Sequence, residues 1–159
     1  MARPAESENN SVWKFNASLG THPEQLPPFP AMPKLILCVE DEHLSAEAVR
    51  RALNYAGYEV QTAGTAAAAL SALQARRPDL ILLDLLLPDV NGYSFIDLLR
   101  DHDDFDQIPI VIVSGCASPE AQSLGRELGA RAYLIKPFTA QELIECVHGV
   151  FGTKPKSDR

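Results

Sequence analysis

Carboxylate, hydroxyl and ammonium side chains follow four separate apolar runs of the sequence. In chain order they are Glu40, Asp41 and Glu42, then Asp84, Ser114 and Lys136. Carboxylates held close together repel one another and need a cation, and hard oxygen ligands with access to water favour Mg²⁺. A metal-bound carboxylate beside an ammonium and a hydroxyl is equipped to attack a phosphoryl group, because all three partners stabilise charge on its oxygens. The predicted product is an aspartyl phosphate.

Each of these side chains also has a simpler interpretation, since acids and lysines at strand ends commonly face solvent. Asp84 does not fit it, because it closes the apolar run 81–83 and is followed by three further leucines. A carboxylate in such a run is costly unless it is paired. Because four strands end in acids, a hydroxyl and an ammonium that can act together, we interpret these residues as one site rather than as unrelated surface side chains.

The elements that position these residues are five short apolar runs alternating with five amphipathic ones. The predicted strands are 34–39, 58–62, 80–84, 108–113 and 132–135, and the predicted helices are about 44–56, 65–76, 92–100, 119–128 and 140–151. Strands that are apolar along their whole length are typical of a parallel sheet covered by helices on both faces. In an open α/β sheet the site lies beyond the carboxyl ends of the strands, where the acids, the hydroxyl and the ammonium fall.

Local signals mark several helix ends. Gly57 is a helix stop, Ser118 is an N-cap before a proline, and the sequence at 139–142 is a capping box. In the first helix, Val49, Leu53 and Ala56 are predicted to line the buried face.

The two ends of the chain differ from its middle. Six of the 12 prolines lie in the first 33 residues, with no hydrophobic period. We therefore predict an extended or disordered arm over 1–33, one domain over 34–152 and a short polar tail over 153–159. An apolar cluster in the arm, 12–15 with Leu19, either packs loosely on the domain or is a docking motif, and the first is favoured.

Composition narrows the classes of protein. The 159 residues carry a net charge of −7, which argues against direct DNA binding because phosphates require clustered basic charge. No apolar run approaches the ~20 residues of a membrane helix, and the N-terminus has no secretory h-region. The three cysteines form no CxxC pair, so we predict reduced thiols in a cytoplasmic protein.

The residues at the strand ends and their surroundings resemble the receiver domain of two-component response regulators. The matching stretches are 36–42, 79–92, 110–115 and 129–138, and the likeness extends over about 34–151. An acidic pair, an Asp, a Ser and a Lys-Pro, in this order and each at a strand end, carry the resemblance. It implies a flavodoxin-like α/β fold, an open doubly wound sheet of five parallel strands in the order 2-1-3-4-5 with helices on both faces.

The resemblance also implies how the metal and the phosphoryl group are held. Asp84 is the phosphoacceptor and a metal ligand. Asp41 binds Mg²⁺ directly, Glu40 binds it directly or through water, and the main-chain carbonyl of Leu86 completes the protein ligands.

Three further residues take part by the same resemblance. Lys136 contacts the phosphoryl group and Ser114 hydrogen-bonds it. Tyr133 is the aromatic residue whose rotation accompanies the movement of Ser114. The Lys136–Pro137 peptide bond is cis in the family.

Two positions bear on the lifetime of the aspartyl phosphate. In the family, the dephosphorylation rate depends on the residue two after the phosphoacceptor and the residue two after the Ser. These are Leu86 and Cys116 here. Neither side chain is suited to orient an attacking water, so we expect a comparatively long-lived phosphate.

The implied partners are a histidine kinase or histidine phosphotransfer protein, which supplies the phosphoryl group, and a downstream effector protein. Only eight residues follow Phe151, so we expect no output domain after the receiver. The protein is predicted not to be an enzyme beyond its own phosphorylation and dephosphorylation, since related phosphohydrolases carry a second acid where Leu86 stands. The alternative is a receiver-like interaction module that acts without phosphorylation.

Overall fold

The computed structural model describes residues 12–14 and 32–152, and the rest of the predicted arm and the predicted tail lie outside the described residues. The strands are β1 (Val12–Lys14), β2 (Leu35–Val39), β3 (Glu59–Ala63), β4 (Leu80–Asp84), β5 (Ile110–Ser114) and β6 (Ala132–Ile135). The helices are α1 (His43–Tyr55), α2 (Ala66–Ala75), α3 (Gly92–Arg100), α4 (Pro119–Glu127) and α5 (Ala140–Gly152). None of the helices in these ranges is long and apolar enough to cross a membrane.

The strands form one sheet in the order β3–β2–β4–β5–β6–β1. Strands β2 to β6 pair in parallel, which confirms the predicted order 2-1-3-4-5 when these five are numbered alone. The sequence did not predict β1 as a strand. It pairs antiparallel with β6, with Trp13 opposite Tyr133. A strand of three residues is too short to show an alternating hydrophobic pattern, and its partner β6 lies far along the chain, so the sequence gives no signal for this pairing.

The core has two layers, one on each face of the sheet. Leu37 and Ile112 belong to the layer that packs against α2 and α3. Ile36 and Val111 belong to the layer that packs against α1 and α5. Strands β2, β4 and β5 are buried on both faces, which explains why their sequences are apolar at successive positions. The edge strand β3 is largely exposed, so its sequence pattern is weaker.

Most predicted boundaries hold within one or two residues. Gly57 has a φ of +96° just after α1, and Thr139 and Glu142 form both hydrogen bonds of the capping box, at 3.0 and 3.1 Å. Two details were wrong. Ala56 is exposed at the end of α1 rather than on its buried face. Strand β5 begins after Pro109, which has no N–H to donate within the sheet.

Candidate functional site

The carboxyl ends of β2, β4, β5 and β6 bring the predicted site residues to one edge of the sheet. Glu40 and Asp41 follow β2, and Asp84 ends β4. A carboxylate oxygen from each of the three lies within 4.8 Å of the others. Ser114 ends β5 and is buried, and Lys136 follows β6. The side chains that the sequence placed at one edge are therefore neighbours in space.

Lys136 neutralises the buried part of this cluster. Its Nζ donates to Glu40 Oε2 at 2.6 Å and to Asp84 Oδ2 at 2.9 Å. Burial raises the pKa of Glu40, although hydrogen bonds from Lys136 and from the Glu42 amide oppose this. Burial also lowers the pKa of Lys136, but its hydrogen bonds to Glu40 and Asp84 outweigh that effect and the pKa is raised overall. The ammonium is thus held charged between two carboxylates.

Backbone amides fix the second oxygen of each buried carboxylate. Glu40 Oε1 accepts from the Glu42 N–H at 3.0 Å, and Asp84 Oδ1 accepts from the Leu86 N–H at 2.9 Å. Both acids are therefore oriented by the turn that follows their own strand. Asp41, by contrast, is exposed.

The donor set fits a Mg²⁺ ion. Glu40, Asp41 and Asp84 supply hard carboxylate oxygens, and the exposure of Asp41 leaves room for the waters that Mg²⁺ retains. Within the described part of the chain, Lys136 is the one cation that pairs with these acids, so two of their three negative charges are left uncompensated. A divalent ion would complete the charge balance of the cluster.

A cavity of about 440 Å³ adjoins the carboxylates on the α1–α5 side of the sheet. Glu40, Asp84 and Lys136 form its polar end, and Val49 and Phe138 contribute to its apolar wall. The carboxylates of Glu40 and Asp84 therefore border an open volume, although both residues are buried.

The backbone of Cys116 connects the two predicted switch residues. Its N–H donates to Ser114 Oγ at 3.1 Å, and its carbonyl accepts from the Tyr133 hydroxyl at 2.7 Å. Tyr133 is fully buried in this arrangement, and burial raises its pKa. The hydroxyl of Tyr93 donates to the Ala121 carbonyl at 2.9 Å in the first turn of α4. The sequence did not identify Cys116 as a connecting residue, because its backbone rather than its side chain makes both contacts.

The Lys136–Pro137 peptide bond is cis, as the resemblance implied.

Asp89 is a positioning residue that sequence reasoning missed. Its two carboxylate oxygens accept from the Ala66 and Ala67 N–H groups, each at 3.0 Å, at the start of α2. These bonds lower its pKa. The contact ties the loop after Asp84 to a helix from an earlier part of the chain, and only the sheet topology brings the two together.

Gly92 holds the other end of that loop against β4. A Cβ at this position would lie 2.6 Å from Leu85 Cα, a contact that the backbone cannot relieve without moving. We expect Gly92→Ala to lower the free energy of unfolding by about 2 kcal/mol, since overpacking forces backbone shifts. Urea denaturation followed by circular dichroism measures this.

Gly149→Ala is the matched control, because a Cβ there has no neighbour within 4 Å among residues 32–152 and the residue lies inside α5. It should leave stability unchanged or raise it by up to ~1 kcal/mol. Equal stabilities for the two variants would contradict the packing argument for Gly92.

Residues 36–148 match the family model described as the response regulator receiver domain, and the chain belongs to that family. Receiver domains are phosphoacceptors of two-component phosphorelay signalling rather than enzymes in the usual sense, and they bind Mg²⁺ at an acidic pocket. They interact with histidine kinases or phosphotransfer proteins and with effectors.

Curated relatives and solved structures agree with this family. The chain is 33% identical over 121 residues to the polar-differentiation response regulator DivK of Brucella anthropi, covering 76% of this chain and 98% of DivK. It is 33% identical over 112 residues to the probable transcriptional regulatory protein TcrX of Mycobacterium tuberculosis, covering 70% of this chain and 47% of TcrX. The chain thus spans about half the length of TcrX.

Two solved structures show the same fold. The chemotaxis response regulator CheY4 of Vibrio cholerae superposes with a TM-score of 0.71 at 31% identity, covering 75% of this chain and 99% of CheY4. The Mn²⁺-bound form of response regulator Rcp1 superposes with a TM-score of 0.64 at 29% identity, covering 74% of this chain and 91% of Rcp1.

Proposed function

We propose that this protein accepts a phosphoryl group on Asp84 in a Mg²⁺-dependent reaction and signals by binding an effector protein. The donor is a phosphohistidine of a histidine kinase or histidine phosphotransfer protein. The observation that carries the proposal is the buried Asp84 carboxylate, 2.9 Å from Lys136 Nζ and grouped with Glu40 and Asp41. The Mn²⁺ in the related Rcp1 structure supports a divalent ion in this chain.

In the proposed reaction an Asp84 oxygen attacks phosphorus, and the new O–P bond forms as the N–P bond of the phosphohistidine breaks. The imidazole leaves with the electron pair and takes up a proton. Glu40, Asp41 and Asp84 would hold a Mg²⁺ ion, which would supply positive charge to the phosphoryl oxygens. Lys136 shifts its hydrogen bond from the carboxylate to a phosphoryl oxygen. Ser114 Oγ accepts from the Cys116 N–H, and the Ser114 hydroxyl can donate its own proton to a phosphoryl oxygen.

The phosphoryl group adds charge at the sheet edge and draws Ser114 towards it. Because the Cys116 backbone bonds both Ser114 and Tyr133, movement of one hydroxyl disturbs the other. The proposed response therefore reaches β6 and the face made by α4 and α5, where the effector binds.

We further propose the domain boundaries and the location of the protein in the cell. The receiver occupies 34–152 and the Pro-rich arm 1–33. A cytoplasmic location is supported by the three free cysteines, Cys38, Cys116 and Cys146. The net charge of −7 supports protein partners rather than direct DNA binding.

The test is to incubate the protein with a small-molecule phosphodonor and follow its intact mass. We expect the mass of one phosphoryl group to be added with Mg²⁺ and not with a chelator. No addition with any donor would exclude the phosphoacceptor function and favour a module that binds partners without phosphorylation.

Leu86 is expected to prolong the phosphorylated state. Its side chain is 78% exposed beside Asp84, and it has no polar group to orient an attacking water. Leu86→Asn supplies such a group, so the half-life of the phosphate should fall by roughly tenfold or more. The decay of phosphorylated protein after removal of the donor, followed by intact mass, measures this.

Leu98→Asn on α3 is the control, since Leu98 is also partly exposed but lies away from the carboxylates. It should leave the half-life unchanged. A half-life of seconds in the wild type with Mg²⁺ would show that Leu86 does not protect the phosphate.

A further inference from the structure

Strand β1 lies at an edge of the sheet that the receiver fold leaves open. The family match covers residues 36–148, so β1 lies outside it. The five matched strands are parallel, whereas β1 runs antiparallel to β6. Strand β1 is therefore an addition to the family's sheet rather than part of its repeating strand–helix pattern.

The two edges of the five-stranded sheet differ in chemistry. At the β3 edge the side chains are mostly exposed, and Glu59 forms an ion pair with Arg76 at 2.7 Å. Charged, polar edges resist pairing with other chains. The β6 edge is apolar, with Ala132, Tyr133 and Leu134 buried. An apolar edge with unpaired N–H and C=O groups is a template for strand addition.

The backbone of β1 occupies this edge. Val12, Trp13 and Lys14 lie opposite Leu134, Tyr133 and Ala132, respectively, so the pairing covers three of the four residues of β6. It also covers Tyr133, whose hydroxyl bonds the Cys116 carbonyl next to the phosphorylation site.

We propose that β1 is an autoinhibitory strand, which blocks the β6 edge and must leave before an extended segment of a partner protein can pair there. Strand β6 contacts both α4 and α5, and β1 contacts α5, so the blocked surface includes the face proposed for the effector. The inference rests on the proposed function for the identity of that partner, but the blocked edge itself does not depend on phosphorylation.

The test removes the backbone hydrogen-bond donors of β1 in the full chain and fixes its φ angles. Successive N–H groups of a strand point to opposite sides, so the triple substitution Val12→Pro, Trp13→Pro and Lys14→Pro removes every N–H that β1 can donate, whichever residues face β6. The control carries Glu6→Pro, Ser7→Pro and Glu8→Pro, the same number of prolines in the same N-terminal segment outside β1.

Hydrogen exchange of the β6 amides is the first readout. We expect the amides of β6 that face β1 to exchange about tenfold faster or more in the β1 variant than in the control. The second readout adds a synthetic peptide of residues 10–16. It should restore protection of β6 in the β1 variant and bind the wild type at least about tenfold more weakly, because the wild-type edge is occupied.

Equal exchange of β6 in the β1 variant and the control would overturn the proposal, as would equal peptide binding by the variant and the wild type. Dimers that form only in the β1 variant and dissociate when the peptide is added would overturn the assignment to a partner protein, because a second copy would then be the incoming strand. Mg²⁺-dependent phosphorylation of each variant shows that the receiver is folded. If even the wild type is not phosphorylated, the proposed function fails while the exchange result still decides the role of β1.

Discussion

Asp84→Asn is expected to abolish Mg²⁺-dependent phosphorylation, reducing the phosphorylated fraction to the background of the assay. The amide lacks the negatively charged oxygen that attacks phosphorus, and it is a poor ligand for the divalent ion beside Glu40 and Asp41. Intact mass after incubation with the phosphodonor measures the loss.

The variant should remain folded, which keeps the result interpretable. The Asn side-chain oxygen can still accept from the Leu86 N–H, and Lys136 keeps Glu40 as a partner. Asp97→Asn is the matched control, because Asp97 is an exposed aspartate on α3. It should be phosphorylated like the wild type. Phosphorylation of the Asp84 variant to the wild-type level would place the phosphoacceptor elsewhere.

Lys136→Met is expected to destabilise the protein strongly in a chelator and only slightly in Mg²⁺. The substitution keeps an unbranched apolar stem and removes the ammonium that lies 2.6 Å from Glu40 and 2.9 Å from Asp84. Breaking a buried ion pair costs about 3–5 kcal/mol, and the 29% exposure of Lys136 reduces this to about 2–3 kcal/mol. Urea denaturation with chelator and then with Mg²⁺ measures both values.

Mg²⁺ should restore most of the lost stability relative to the wild type, because the cluster without the ammonium carries one more uncompensated negative charge and binds the ion more tightly than the wild type does. At saturating Mg²⁺, an affinity about one hundred times that of the wild type contributes about 2.7 kcal/mol more than the wild type gains, similar to the loss. The control is Lys34→Met, since Lys34 lies over the Phe151 ring, away from the acids. Its effect should not depend on Mg²⁺. An equal loss with chelator and with Mg²⁺ in the Lys136 variant would contradict the shared charge balance.

The parts of the fold that the sequence predicted depend on local patterns. The runs 81–83 and 110–113 are apolar at every position because their strands are covered on both faces, and this pattern is visible without coordinates. Gly57 and the Thr139–Glu142 pair mark helix ends because capping groups lie within a few residues of the amides and carbonyls that they serve. The exposed position of Ala56 could not be derived, since it depends on where α1 leaves the sheet.

The convergence of the site residues also follows from sequence. Parallel strands end at the same edge, so Asp84, Ser114 and Lys136 had to become neighbours once their strands were recognised. The sequence does not reveal which carboxylate oxygens accept the hydrogen bonds of Lys136. Lys136 bridges Glu40 and Asp84 because β6 and β2 flank β4 and β5 at distances set by the sheet.

The sequence by itself therefore determined the fold class, the helix boundaries and the group of residues at the strand ends, because periodicity and capping act over a few residues. Only the tertiary structure decided that Asp89 caps α2, that the Cys116 backbone links Ser114 to Tyr133, and that β1 pairs with β6. In each case a backbone group meets a side chain or a strand from a part of the chain that lies well away in sequence. The partners are set by register and by the crossing of elements, which leave no periodic trace in the residues themselves.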